Sequence, residues 1–177
     1  MENNIEEKAV ELTKTNKGWL VNSKTLSKFN CPGIWVLYGQ KKDSNEIECL
    51  EVGQVADVTD EICRDIGLLT RDYDYTKPKT GTRKKMFSNV DGWCEQLDAS
   101  EKNRDLDKYK TISAKYDYLY FDVYTNEDEY KDKFNRTEKE IDLFLTKKAK
   151  YWYGNNWDNE VTRALEKAKE IYPDMFK

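Results

Sequence analysis

Two apolar runs, each touching a glycine, flank a polar loop in the stretch GIWVLYGQKKDSNEIECLEVGQ, residues 33–54. Ile34, Val36 and Leu37 favour a strand, and the loop has the polar, turn-prone composition of a hairpin connection. The stretch therefore predicts a β-hairpin, which commits the chain to building a sheet. A third strand is predicted at KYDYLYFDVYT, residues 115–125, because its aromatic and β-branched side chains alternate with a period of two.

Helical patterns surround these strands. Residues 4–14 place Ile5, Ala9 and Leu12 on one helical face, and Gly18 is expected to end that element. A short helix capped by Ser23 is predicted next, and a longer one at 57–67, with Asp57 or Thr59 as the cap and Gly67 as the C-terminal glycine. Two more helices are predicted at 136–150 and at 158–172. The last has Asp158 as its cap and Pro173 as its stop. The predicted fold is α/β of the α+β type, with a small, mostly antiparallel three-stranded sheet flanked by helices.

The chain has 177 residues, which suits one domain with a small extension. We predict an N-terminal helical extension over 1–30 and a principal domain over 31–157. A charged insertion is expected at about 70–111, where the periodicity is poor, and long irregular insertions in compact domains are often functional. The C-terminal helix, 158–177, is expected to pack on the same domain.

The composition excludes several kinds of chemistry. The chain contains no histidine, which removes the commonest metal ligand and every nucleophile system that depends on a histidine base. Its four cysteines form no CxxC pair, so a four-cysteine zinc site is not expected. The charged N-terminus is unlike a signal peptide, and no stretch resembles a membrane span. These features predict a cytoplasmic protein with free thiols and no membrane partner.

Basic residues nevertheless cluster, although the net charge of −4 argues against nonspecific coating of nucleic acid. The run TKPKTGTRKK, residues 76–85, contains no acidic residue and carries Lys77, Lys79, Arg83, Lys84 and Lys85. A second cluster, Lys147, Lys148 and Lys150, lies near the end of a predicted helix. Both clusters are candidate phosphate contacts. The alternatives are a solvated loop for the first and a favourable interaction with the helix dipole for the second.

The order of these elements resembles one nuclease family. GIWVLYG followed by LEVGQ is similar to the two signature strands of the GIY-YIG nucleases, which carry Gly-Ile-Tyr and then Tyr-x-Gly. In that family a helix with an arginine follows, then a strand, then a helix with a glutamate; the matching residues here are Arg64 and Glu140. The resemblance covers about 31–156 without the insertion. It departs at Trp35 and Glu51, which stand where the family has tyrosines, and Arg64 lies a few residues further from the second strand than is usual.

The resemblance implies a metal-dependent endonuclease that cleaves DNA phosphodiester bonds. Such an enzyme would belong to a restriction system or to a mobile element. Glu140 would hold Mg²⁺ or Mn²⁺, with Glu138 as the second choice. Arg64 would bind the phosphate, and Asn155 or Asn156 matches an asparagine that follows the glutamate helix. Mg²⁺ prefers carboxylate, water and phosphate oxygens, so one protein carboxylate suffices.

Two further residues are catalytic candidates because the family tyrosines are replaced. Tyr38 is the nearest phenol to the first of them, but it lies three residues after Trp35 and is therefore expected on the opposite face of the strand. Glu51 replaces the second tyrosine and would act on a metal or a water molecule.

Other readings of the same residues remain open. The chain can be a catalytically inactive relative that binds nucleic acid or a protein partner, or an unrelated α+β protein. Thr137 and Glu140 have the spacing of a helix capping box, which would explain that glutamate without catalysis. Arg64 can be a solvated helix residue paired with Asp60 or Glu61. Trp35 is expected in the core.

Overall fold

The computed structural model describes residues 6–70, 95–96, 104–152 and 158–176. The strands are β1 (Glu6–Thr15), β2 (Gly18–Val21), β3 (Gly33–Lys41), β4 (Ile47–Val55), β5 (Glu95–Gln96), β6 (Tyr116–Thr125) and β7 (Tyr151–Trp152). The helices are α1 (Ser23–Leu26), α2 (Val58–Thr70), α3 (Arg104–Lys115), α4 (Glu127–Tyr130), α5 (Lys133–Lys147) and α6 (Asn159–Ile171). None of the described helices combines the length and apolar composition needed to cross a membrane.

The strands form one seven-stranded sheet in the order β2-β1-β6-β3-β4-β7-β5. Neighbours from β2 to β4 are antiparallel, whereas β7 pairs in parallel with β4 and with β5, so the sheet is mixed. The α+β class predicted from the sequence is therefore confirmed, and the three predicted strands form its centre as β6, β3 and β4. The prediction of only three strands is wrong. The stretch that forms β1 was predicted as a helix, and β2, β5 and β7 have only four, two and two residues, which is too short for a periodic signal.

The N-terminal segment is a strand and not the predicted helix. In β1 the buried Val10 and Leu12 alternate with the exposed Ala9 and Glu11, so this stretch follows a period of two. The apolar residues of this stretch also have a helical spacing, but the segment is a strand because seven of its residues, from Glu6 to Leu12, pair with β6. Gly18 does not end a helix. It is the first residue of β2, directly after the turn, and has a φ of +127°, a conformation that favours glycine.

The other predicted helices are present, with differences at their ends. The Asp57 carboxylate accepts a hydrogen bond from the Asp60 backbone N–H, and α2 continues through Gly67 to Thr70. Asn22 and not Ser23 caps α1, and Asp158 caps α6 as predicted. The charged insertion predicted at about 70–111 falls largely outside the described residues, and its last part forms the start of α3.

Each face of the sheet carries its own apolar core. One core lies under α2 and α3 and includes Trp35, Leu37 and Phe121. The other lies under α5 and α6 and includes Ile34, Val36 and Phe144. Successive residues of β3 therefore serve opposite cores, as the two-residue period of a strand requires.

Candidate functional site

A groove runs beside the last residues of β4, where Val52, Gly53 and Gln54 form part of its wall. It receives side chains from helices on both faces of the sheet. Its charged lining among the described residues consists of Glu51, Glu61, Arg64, Lys108, Lys133, Glu140 and Asp158. Three of the four predicted catalytic residues, Glu51, Arg64 and Glu140, therefore lie together.

A β-bulge in β4 positions Glu51. Leu37 of β3 is opposite Glu51, but the next residue, Tyr38, is opposite Cys49, so Leu50 is the extra residue. The Glu51 side chain turns towards α3. Its Oε1 accepts a hydrogen bond from Lys108 Nζ at 2.5 Å, and its Oε2 accepts one from the Tyr109 hydroxyl at 3.0 Å.

Tyr109 is held as a hydrogen-bond donor. Burial raises the pKa of its phenol well above the ordinary value, and the neighbouring carboxylates of Asp65 and Glu51 raise it further. The phenol therefore stays protonated at neutral pH and donates its hydrogen bond to Glu51. Each carboxylate oxygen of Glu51 therefore accepts a hydrogen bond from a side chain of α3.

Arg64 reaches the groove from α2. Its Nη2 donates to the Glu61 carboxylate and lies 3.7 Å from Asp65 Oδ1. The pairing with Glu61 matches one predicted alternative, but the Arg64 side chain is only 28% exposed and faces the groove. Burial, and then the charges of Glu61 and Glu51, raise the pKa of Asp65 well above its usual range, while Lys108 and Arg64 oppose that shift.

Glu140 lies in the interior of α5. The N-cap of this helix is Asp132, whose side chain accepts a hydrogen bond from the Phe134 backbone N–H. Thr137 instead donates its hydroxyl proton to the Lys133 carbonyl oxygen. The capping-box interpretation is therefore wrong: Glu140 is about two turns into the helix, is 6% exposed, and lines the groove.

The two positions that carry a tyrosine in the GIY-YIG family are Trp35 and Glu51 in this chain, so neither presents a phenol to the groove. Trp35 is 4% exposed, as predicted for a core residue, and packs edge-on against Phe121 with 5.7 Å between ring centroids. Tyr38 lies on the opposite face, stacked on Tyr120 at 5.0 Å between ring centroids. Tyr38 is not among the residues that line the groove.

The predicted nucleic-acid contacts do not gather at the groove. Lys147 and Lys148 are exposed at the end of α5, and Lys150 donates a hydrogen bond to Glu48 at 2.9 Å. None of the three lines the groove among the described residues. The remaining candidates lie outside the described residues: Lys77, Lys79, Arg83, Lys84, Lys85, Asn155 and Asn156.

Sequence reasoning missed several residues that line the groove or lie next to it. Asp65 is buried beside Arg64 and interrupts the apolar stripe that Ile62 and Leu68 form on α2, and this interruption is a signal that could have identified it. Lys108 and Tyr109 belong to no motif, because α3 follows a stretch without clear periodicity. Lys133 and Asp158, which form an ion pair, lie at the first position of α5 and at the cap of α6.

The charges of the groove are nearly balanced. The described residues contain no group of three or more cysteine, aspartate or glutamate side chains arranged to hold a metal. The lining does carry four carboxylates against three cationic side chains, a formal balance of −1. One carboxylate with water and phosphate oxygens is a coordination that Mg²⁺ accepts, and Glu140 has the required chemistry.

Comparison of the chain with protein-family models, with curated proteins and with solved structures gave no match. The fold and the groove together define the protein as an α+β protein with a mixed sheet and a charged groove beside its fourth strand.

Proposed function

We propose that this groove is the active site of a metal-dependent endonuclease that acts on DNA phosphodiester bonds. One observation carries the proposal: Arg64 and Glu140, which belong to helices far apart in the chain, line the same groove next to Gly53. A guanidinium and a carboxylate that line one groove have the chemistry to bind a metal-bound phosphate together.

The order of the elements also supports this proposal. The hairpin of β3 and β4 is followed by α2 with Arg64, then by β6, then by α5 with Glu140. This is the order that the GIY-YIG resemblance implies. The thiols of Cys31, Cys49 and Cys63 are free, which supports a reducing cytoplasmic setting.

The groove residues have distinct roles in this proposal. Arg64 offers a planar, permanently charged fork that matches two phosphate oxygens. Glu140 would hold Mg²⁺ or Mn²⁺, which neutralises charge on the scissile phosphate when bound. The chain itself binds and orients the phosphate, and its acidic balance makes that binding dependent on the cation.

The test is cleavage of supercoiled plasmid DNA with Mg²⁺ or Mn²⁺. We expect cleavage by the native protein and a loss of roughly a hundredfold or more in Glu140→Gln. Glu138→Gln is the matched control, since Glu138 lies on the same helix but pairs with Lys167 outside the groove. No cleavage by the native protein, or equal cleavage by native protein and Glu140→Gln, would contradict the proposal.

A second candidate function is a catalytically inactive relative that binds nucleic acid or a protein. Neither Trp35 nor Glu51 carries a phenol, and Tyr38 does not line the groove. This favours the inactive relative. Salt-dependent DNA binding without cleavage would support the nucleic-acid form. No DNA binding at low salt would favour a protein partner, with aromatic side chains as anchors.

A further inference from the structure

We propose that Lys108 is a phosphate-binding residue of this groove and that Glu51 is the positioning residue that aims its ammonium group. The inference rests on the proposed function, because the phosphate in question belongs to a nucleic-acid backbone. It assigns the contact to a residue of α3, which is not part of the motif that carries the resemblance.

The contacts of Lys108 fix its orientation. Its Nζ donates to Glu51 Oε1 at 2.5 Å and lies 4.4 Å from the centroid of the Tyr109 ring. The Tyr109 hydroxyl donates to the other oxygen of Glu51, so one tyrosine supports both members of the pair. The ammonium group is therefore held by a carboxylate on one side and an aromatic face on another, at a wall of the groove.

The burial of this pair is better explained by binding than by stability. The side chains of Lys108 and Glu51 are 4% and 8% exposed, so both charges have lost most of their water. Such a pair contributes little to stability, since apolar residues of similar volume often do as well or better. Glu51 compensates the charge of Lys108 in part, and a phosphate that reaches the ammonium from the groove competes with little water for the hydrogen bonds of Nζ.

Arg64 and Lys108 also complement each other in space. They come from α2 and α3, which pack on the same face of the sheet, and both line the groove. Arg64 supplies a bidentate fork, whereas Lys108 supplies a compact point charge. Glu51 stands where the resembling family has its second tyrosine, and in this chain it holds Lys108 at the groove.

The experiment measures the affinity for a duplex oligonucleotide at several salt concentrations. Ca²⁺ replaces Mg²⁺ so that binding is measured without cleavage. The main variant is Glu51→Gln with Lys108→Met, which removes both charges together and leaves no unpaired buried charge. We expect weaker binding and a decrease of about one in the slope of log affinity against log salt.

Glu51→Gln alone keeps the ammonium but loses the carboxylate that aims it, so this variant should bind the duplex more weakly than the native protein. The control is Lys17→Met, which removes one positive charge from the exposed turn between β1 and β2, at the other edge of the sheet, and should keep the native slope. Lys108→Arg serves as a second folded variant that retains the charge, and its slope should remain native. Circular dichroism melting confirms that each variant is folded.

The outcomes distinguish this inference from the proposed function. If the double variant keeps the native slope while Arg64→Ala lowers it, the assignment of Lys108 is overturned and the proposed function stands. A lowered slope in the double variant supports it, even where plasmid cleavage by the native protein is absent. No binding of the duplex by the native protein would overturn both proposals.

Discussion

Lys108 Nζ lies 2.5 Å from Glu51 Oε1, and the side chains of both residues are more than nine-tenths buried. The pair joins α3 to the central strand β4 at the candidate site. Because the two charges compensate each other in a region with little water, removing one leaves the other buried and unpaired. This relationship predicts strongly non-additive effects of substitution.

Lys108→Met and Glu51→Gln should each lower the free energy of unfolding by about 3–5 kcal/mol, because each leaves one uncompensated buried charge. The double variant Glu51→Gln with Lys108→Met should lose much less than the sum. Urea unfolding in a double-mutant cycle measures this coupling. Lys131→Ala, which breaks the exposed pair between Lys131 and Asp128, should change stability by less than about 0.5 kcal/mol. Additive single-variant effects at Glu51 and Lys108 would contradict the prediction.

Glu48 predicts a loss of stability in acid. Burial raises the pKa of Glu48, but hydrogen bonds from Lys41, Tyr116 and Lys150 lower it by more, to about 2. A pKa that is lower in the folded state gives stability above the unfolded pKa and loses it as the pH falls through the folded value. The free energy of unfolding should therefore fall between about pH 5 and pH 2.

The control for this prediction is Glu48→Gln, which cannot ionise. It should be less stable than the native protein at neutral pH, and its stability should depend less on pH over the same range. Urea unfolding at closely spaced pH values measures both effects. Parallel pH profiles for the two proteins would show that the contacts of Glu48 do not act as described.

Asp65 predicts a pH dependence of the opposite sign. Its pKa is raised well above the usual range by burial, and then by Glu61 and Glu51, so the folded state holds the proton more tightly than the unfolded state. Stability due to this group therefore falls as the pH rises above the unfolded pKa. Asp65→Asn should be at least as stable as the native protein at pH 7, and chemical denaturation at pH 4 and pH 7 tests this. A clear destabilisation by Asp65→Asn at neutral pH would contradict it.

Much of the central fold follows from local sequence patterns. The glycine-bounded runs gave the hairpin of β3 and β4, and the alternation of residues 116–125 gave β6. Asp158 caps α6 as predicted, and of the two caps predicted for α2, Asp57 is correct and Thr59 lies inside the helix. These signals are readable because they depend on neighbours within one or two turns or within one strand.

The remaining features depend on partners that are distant in the chain. β1 carries both helical and strand-like spacings, and its pairing with β6 decides between them. The role of Glu140 as a groove residue was obscured by Thr137, because the true cap, Asp132, lies five residues earlier than Thr137. Nothing in the sequence distinguishes Lys108 from the other lysines, because its pairing with Glu51 depends on the bulge in β4 that turns Glu51 towards α3.

Gly53→Ala should destabilise the protein by about 1–3 kcal/mol through overpacking. A Cβ at this position would lie 2.4 Å from Trp35 Cζ2, and the indole is buried against Phe121. Trp35→Phe removes the atom that would clash, so Gly53→Ala should cost less in that background. Thermal or urea unfolding of the four proteins measures the difference. An equal cost of Gly53→Ala in both backgrounds would show that the indole is not the obstacle.

Binding of DNA in the groove should depend on a divalent cation, even where no cleavage occurs. The lining has four carboxylates against three cationic side chains, so a phosphate meets a formal charge of −1. Ca²⁺ would reverse that sign, and native protein should bind a duplex more tightly with Ca²⁺ than with EDTA.

Glu140→Gln separates the two effects of that carboxylate. Removing one negative charge should strengthen binding in EDTA, by roughly fivefold if the charge acts with about 1 kcal/mol at close range in water. The same variant should gain less from Ca²⁺, because the candidate metal ligand is lost. Glu138→Gln, whose carboxylate pairs with Lys167 away from the groove, should behave like the native protein. If Ca²⁺ improves binding equally in native protein and Glu140→Gln, the cation acts elsewhere and Glu140 is not its ligand.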